Sequence, residues 1–192
     1  MSLLDAKISA PLEGGPSFSL KNRLARLAWG VVWATLASWT PVALRPWRRA
    51  LLRAFGARIA PTADIYPSAR IWLPSNLEMG DYATLGPEAN CYCMGPIKID
   101  AYALVSQGAH LCAGTHNVDD PSFQLVTRPI HIGAGAWIAA EAFVGPGVSV
   151  GPGAVLGARA VAFRNLDADM VYVGNPAKPL RPRRVGGAPA AG

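Results

Sequence analysis

A six-residue beat constrains this chain more than any other feature. Apolar residues recur at Ile59, Ile65 and Ile71, at Met79, Leu85 and Cys91, at Ile99, Val105 and Leu111, and at Ile132, Ile138, Val144, Val150 and Leu156. Four positions after each stands a small or modest side chain, as at Ala63, Ala83, Ala103, Ala136 and Ala154. A period of six matches neither the 3.6 of a helix nor the 2 of an isolated strand. It fits a solenoid with three flat sides per coil. One large side chain per side points inward, because so narrow a coil encloses no room for a second. Gly80, Gly86, Gly133, Gly145, Gly151 and Gly157 directly follow beat residues and suit sharp corners. The two-residue slips at Leu77 to Met79 and Ile97 to Ile99 read as slightly longer corners.

The beat stops for longer than two residues at one place, after Leu111 to His116. Residues 117–129 read as an irregular excursion from the coil, with His116 at its root. Imidazole titrates near neutral pH, so a histidine there can take a proton from a hydroxyl under its own overhanging loop.

Before the beat, residues 1–17 contain Pro11, Gly14, Gly15 and Pro16 and read as a loose arm. Residues 18–57 read as a helical segment. Ser19 is a plausible N-cap, Leu20, Leu24, Leu27, Val31 and Val32 share one side, Pro41 ends the helix, and Pro46 opens a shorter one closed by Gly56. Leu27 to Leu44 carries no charge, which raises a membrane span, but Thr40 and Pro41 interrupt it. Two compatible readings remain. The segment caps the open end of the solenoid, or it lies in a membrane interface with Trp29, Trp33 and Trp39 among headgroups and Arg23, Arg26, Arg45, Arg48 and Arg49 on anionic lipid.

Charge separates the two parts. Residues 1–58 hold nine Lys/Arg against Asp5 and Glu13, whereas residues 59–177 hold five basic and ten acidic residues. A basic preface on an acidic body favours an anionic surface as partner, and no nucleic-acid-binding motif accompanies it. Only 16% of the residues are charged, so much apolar surface wants covering by oligomerisation or lipid. Cys91, Cys93 and Cys112 show no metal or disulfide spacing and read as reduced thiols, which together with no evident signal peptide predicts a cytoplasmic protein, or one peripheral on the inner face of the membrane.

The repeats over residues 59–182, with the run Gly114, Thr115, His116, Asn117, resemble the hexapeptide-repeat acyltransferases. The resemblance is nearest to the maltose/galactoside O-acetyltransferase group and the colanic acid or exopolysaccharide biosynthesis acetyltransferases. It implies a left-handed parallel β-helix over residues 58–177, a homotrimer, and acetyl-CoA as acyl donor with no metal. The implied acceptor is a sugar or oligosaccharide, free or lipid-linked. It makes His116 the general base.

By the same resemblance, Trp137 and Ala140 border the coenzyme groove. Alanine stands at position 140 where relatives often carry serine, leaving only its backbone amide as an oxyanion donor. Ala158 lies on the pantetheine path, and Arg164, Lys178 and Arg181 meet the nucleotide phosphates, the last two from a basic tail over residues 178–192. Phe163 replaces a common threonine. The acceptor wall departs most from the relatives: Glu88 and Asn90 are its candidates, with Asp119 and Asp120 behind them. Two other readings stay open, a metal hydratase using His110, His116 and His131, and a scaffold that binds no coenzyme A.

Overall fold

The computed structural model describes residues 16–184. The expected loose arm, apart from Pro16 and Ser17, and the tail beyond residue 184 lie outside the described residues. Leu20–Leu36 forms helix α1 and Arg45–Ala54 forms helix α2, joined through a 3-10 turn at Val42–Leu44. Ser19 caps α1, its hydroxyl accepting from the Asn22 amide at 3.2 Å. No helix among the described residues is long and apolar enough to cross a membrane.

From Arg58 the chain winds as a parallel β-solenoid of three faces. Beat residues stack in columns from coil to coil. Ile59, Met79, Ile99, Ile132 and Val150 fill the first face. Ile65, Leu85, Val105, Ile138, Leu156 and Tyr172 fill the second. Ile71, Cys91, Leu111, Val144 and Ala162 fill the third. Nearly all are buried, and the three cysteines are free thiols.

Two expectations are corrected. On the first face the slips are not longer corners but second inward residues. Leu77, Ile97 and Ile130 are buried and stacked, two positions before Met79, Ile99 and Ile132. The glycines after beat residues are not needed for a left-handed backbone either. That conformation falls two positions later, at Tyr82, Glu88 or Gly135. A Cβ on Gly80 would stand 2.6 Å from the Ala101 nitrogen, and one on Gly133 2.6 Å from that of Pro152. The requirement is close approach of successive coils.

The helices meet a specific demand at the N-terminal end. Within the solenoid an amide of one coil donates to a carbonyl of the next, as Ala60 does to Met79, Asp64 to Ala83 and Tyr66 to Leu85. The first coil's equivalent carbonyls have no coil beneath them. Side chains supply every missing donor: Arg53 to Ile59, Arg49 to Ala63, Arg48 to Ile65, Trp33 to Ala69 and Trp29 to Ile71, at 2.6 to 3.1 Å. Buried carbonyls left orphaned would each cost about 1–3 kcal/mol, so this end is sealed by matched donors.

Sealing this end turns α1 around. Asn22, Trp29 and Trp33 are buried, while Leu20, Leu24, Leu27 and Val31, which share the apolar side, are exposed. Trp29 and Trp33 therefore cannot lie among headgroups, and neither can the fully buried Arg48, which also holds Thr40 Oγ1, the Pro41 carbonyl and the Val42 carbonyl at 2.8 to 2.9 Å.

At the C-terminal end the chain caps itself with backbone. Met170–Val173 adds to the second face, and Lys178–Pro182, expected to begin a tail, is a strand pairing antiparallel with it. The expected irregular excursion is a β-hairpin. Gly114–His116 pairs antiparallel with Leu125–Thr127, His116 opposite Leu125, before Ile130 resumes the coil.

Candidate active site

The hairpin fixes His116 through both backbone and ring. Its Nδ1 lies 2.8 Å from the Phe123 carbonyl oxygen, and its ring stacks on that of Phe123 at 4.4 Å and 10°. A carbonyl only accepts, so Nδ1 is the donor, and in the neutral ring Nε2 keeps the free lone pair. Gly114 lets the hairpin close down on Met94, since a Cβ there would meet the Met94 sulfur at 2.5 Å.

His116 lines a cavity of about 470 Å³ with Phe18, Arg23, Arg26, Tyr92 and Met94. Most of the opposite wall is the return of α1 against the third face. Arg26 donates to Asn22 Oδ1 at 2.9 Å and lies 4.5 Å over the Trp72 ring, and burial lowers its pKa from the ordinary value. The expected acceptor residues are not on this wall. Asn90 opens a strand on the third face beside Arg70 and His110, and Glu88 sits at an exposed corner, its amide donating to Ser68 Oγ. Arg23, Arg26 and Tyr92 line the cavity instead. No local pattern marks them, because the wall forms only when the helix folds back onto the third face.

The expected coenzyme residues lie elsewhere on the same chain. Trp137 stands on the second face, half exposed, its indole donating to Ser106 Oγ at 2.9 Å. Ala140 and Ala158 occupy the corner after that face on successive coils, linked by the Arg159 amide donating to the Ala140 carbonyl. Among the described residues neither alanine's amide has a partner. At the equivalent corner place stand Pro87, Pro146 and Pro152, which have no N–H at all, so the fold does not use that donor. Both amides are therefore free for a ligand.

Arg164 and Lys178 line a second cavity, of about 510 Å³, with Phe163, Asn165 and Tyr172. Arg181 is exposed on the last strand, its guanidinium donating to the Pro182 carbonyl. The structure thus brings Ala140 together with Ala158, and Arg164 with Lys178. The cavity beside His116 contains none of these four.

The three histidines serve three surfaces. His131 meets Asp100 at 2.6 Å on the first face. His110 on the third face lies edge-on to Tyr92 and Phe143, its Nε2 buried without a partner among the described residues, and burial lowers its pKa. Among the described residues no three His, Cys, Asp or Glu side chains gather as a metal site.

No family model matches the sequence. The protein of Escherichia coli K12 named "Putative colanic acid biosynthesis acetyltransferase WcaF" is 43% identical over 162 residues, covering 84% of this chain and 89% of that protein, and its Shigella flexneri counterpart matches to the same extent. Solved structures share the fold at lower identity. A galactoside acetyltransferase in complex with coenzyme A superposes at TM-score 0.77 with 20% identity, covering 88% of this chain and 86% of that one. A maltose O-acetyltransferase from Clostridium difficile 630 gives 0.77 with 18% identity over 87% and 90%. The Vibrio cholerae acetyltransferase VCA0836 with acetyl coenzyme A gives 0.76 with 21% identity over 87% and 91%. With its left-handed parallel β-helix and its 43% identity to the colanic acid biosynthesis protein, the chain belongs to the hexapeptide-repeat acetyltransferases.

Proposed function

We propose that the protein transfers an acetyl group from acetyl-CoA to a sugar hydroxyl in exopolysaccharide assembly, with His116 as general base. One observation carries this reading: the Phe123 carbonyl takes the Nδ1 hydrogen bond and leaves the Nε2 lone pair free on a ring that lines a cavity large enough for a sugar. His116 Nε2 takes the acceptor hydroxyl's proton as the oxygen attacks the thioester carbonyl carbon. The C–S bond breaks, and the departing thiolate recovers the proton from the imidazolium. Transfer is direct, and no acyl-enzyme forms.

The free amides at Ala140 and Ala158 suit the thioester oxygen and the pantetheine amides, beside Trp137. Arg164, Lys178 and Arg181 suit the nucleotide phosphates. Trp137 and the corner amides belong to the second face and its corner, whereas the His116 hairpin leaves the third, which fits a homotrimer whose grooves join one subunit's base to its neighbour's corner amides. Arg23, Arg26, Tyr92 and Met94 form the acceptor wall in this reading, ahead of Glu88 and Asn90. The acceptor is free or lipid-linked, and the site is cytoplasmic.

The test is coenzyme A release from acetyl-CoA across a panel of sugars and oligosaccharide repeat units. With the accepted sugar, His116→Ala lowers turnover by about 10²–10⁴-fold while coenzyme A binding persists. Turnover retained in that variant overturns the mechanism, and no release with any sugar overturns the acceptor class.

A further inference from the structure

The outer side of α1 and its turn into α2 leave a continuous uncharged surface. At 100° per residue, Leu20, Leu24, Leu27 and Val31 fall within an arc of about 60°. They are 66%, 56%, 65% and 55% exposed. From Leu27 to Leu44 every exposed residue is uncharged, Trp39, Val42 and Leu44 among them, and exposed Trp47 follows Arg45, whose charge is paired with Asp64 at 3.1 Å. Sealing of the first coil does not use this side, because Trp29, Trp33, Arg48, Arg49 and Arg53 do that work from the other.

Its polar atoms are already satisfied from within. Thr35 Oγ1 donates to the Val31 carbonyl at 2.7 Å and Ser38 Oγ to the Ala34 carbonyl at 3.0 Å. The exposed indoles of Trp39 and Trp47 donate to the Thr35 and Leu36 carbonyls at 2.6 and 2.7 Å. Hydroxyls and indoles tied to carbonyls of α1 are what a surface needs to enter a medium without hydrogen-bonding partners. A subunit interface typically carries about one hydrogen bond per 100–200 Å², for which this surface offers little. Lys21 and Arg23 bracket the apolar arc on either side, and between residues 16 and 63 there is no acidic residue.

From these contacts we infer that this face docks on an anionic lipid surface. The apolar arc and the Trp39 and Trp47 rings enter the headgroup boundary, and Lys21 and Arg23 meet lipid phosphates. Arg23 also lines the cavity beside His116, so docking holds that cavity at the headgroup level. The inference stands on α1 and its turn alone and does not depend on the acyl-transfer reading.

Flotation of the full-length protein with vesicles tests it, using phosphatidylethanolamine with phosphatidylglycerol against phosphatidylcholine alone. The protein floats with the anionic vesicles and at least tenfold less with the neutral ones. Leu24→Glu with Val31→Glu, both at exposed sites, lowers anionic flotation at least tenfold with an unchanged melting temperature and oligomeric mass. Lys21→Glu lowers it about fivefold. The inference fails if the protein does not float with anionic vesicles, or if the double variant floats as the parent does. A smaller oligomer in the double variant also overturns it, because a second copy of the chain then covers the face.

Discussion

The two ends of the solenoid solve opposite problems with different means. The N-terminal end presents carbonyls and recruits arginine and tryptophan, whose polar groups only donate and whose stems are apolar enough to be buried with them. The C-terminal end also presents amides, which need acceptors. It finds them in the chain's own backbone, as Gly157 donates to Tyr172, Gly151 to Leu166 and Val161 to Gly174. One side chain contributes an acceptor here, the Tyr172 hydroxyl taking the Asp167 amide at 3.0 Å, but most of these amides are met by backbone. Side-chain caps therefore suit the first coil and an added strand suits the last.

Arg48→Met tests the difference most severely. It retains an unbranched apolar stem but strands Ile65 O, Thr40 Oγ1, Pro41 O and Val42 O, of which the first two are buried. The expected loss is about 3 kcal/mol, or roughly 6–12 °C in melting temperature for a chain of this size. A melt unchanged within 2 °C would mean that water seals the first coil as well as the arginine does.

Arg183→Met probes the other end with a smaller effect. Arg183 bridges the Gly135 and Gly153 carbonyls, each at 2.8 Å, but it is only half buried. Water can reach what it leaves, so the expected loss is about 1 kcal/mol by thermal melt. A loss equal to that of Arg48→Met would remove the asymmetry between side-chain and backbone capping.

The columns are legible in the sequence because each coil repeats one steric rule, so the period of six survives in the residues themselves. The facing of α1 is not. Periodicity groups Leu20, Leu24 and Leu27 on one side without fixing where it faces; the first coil's carbonyls demand donors, and the side of α1 that brings Trp29 and Trp33 to them turns the leucines outward. The second inward column at Leu77, Ile97 and Ile130 hides for a related reason: a slip in register and a widened face look alike in one dimension. At the candidate site, His116 is marked by the broken beat, whereas Tyr92 is brought near it by coil stacking, opposite Cys112, and Arg26 only by the packing of α1 on the third face, which no local spacing encodes.

The gentlest test separates capping from burial within α1. Trp29→Phe and Trp39→Phe each remove one indole N–H that donates to a backbone carbonyl at 2.6 to 2.7 Å. Trp29 is buried and its acceptor, Ile71, is a first-coil carbonyl, so the change leaves that oxygen orphaned and a void beside it, costing about 2 kcal/mol. Trp39 is 70% exposed, and solvent reaches the Thr35 carbonyl once the indole is gone. Its replacement costs less than about 0.5 kcal/mol in thermal melts without lipid. Equal costs at the two positions would mean that Trp29 contributes only as an aromatic body, and the donor-matching account of the N-terminal end would fail at its most isolated bond.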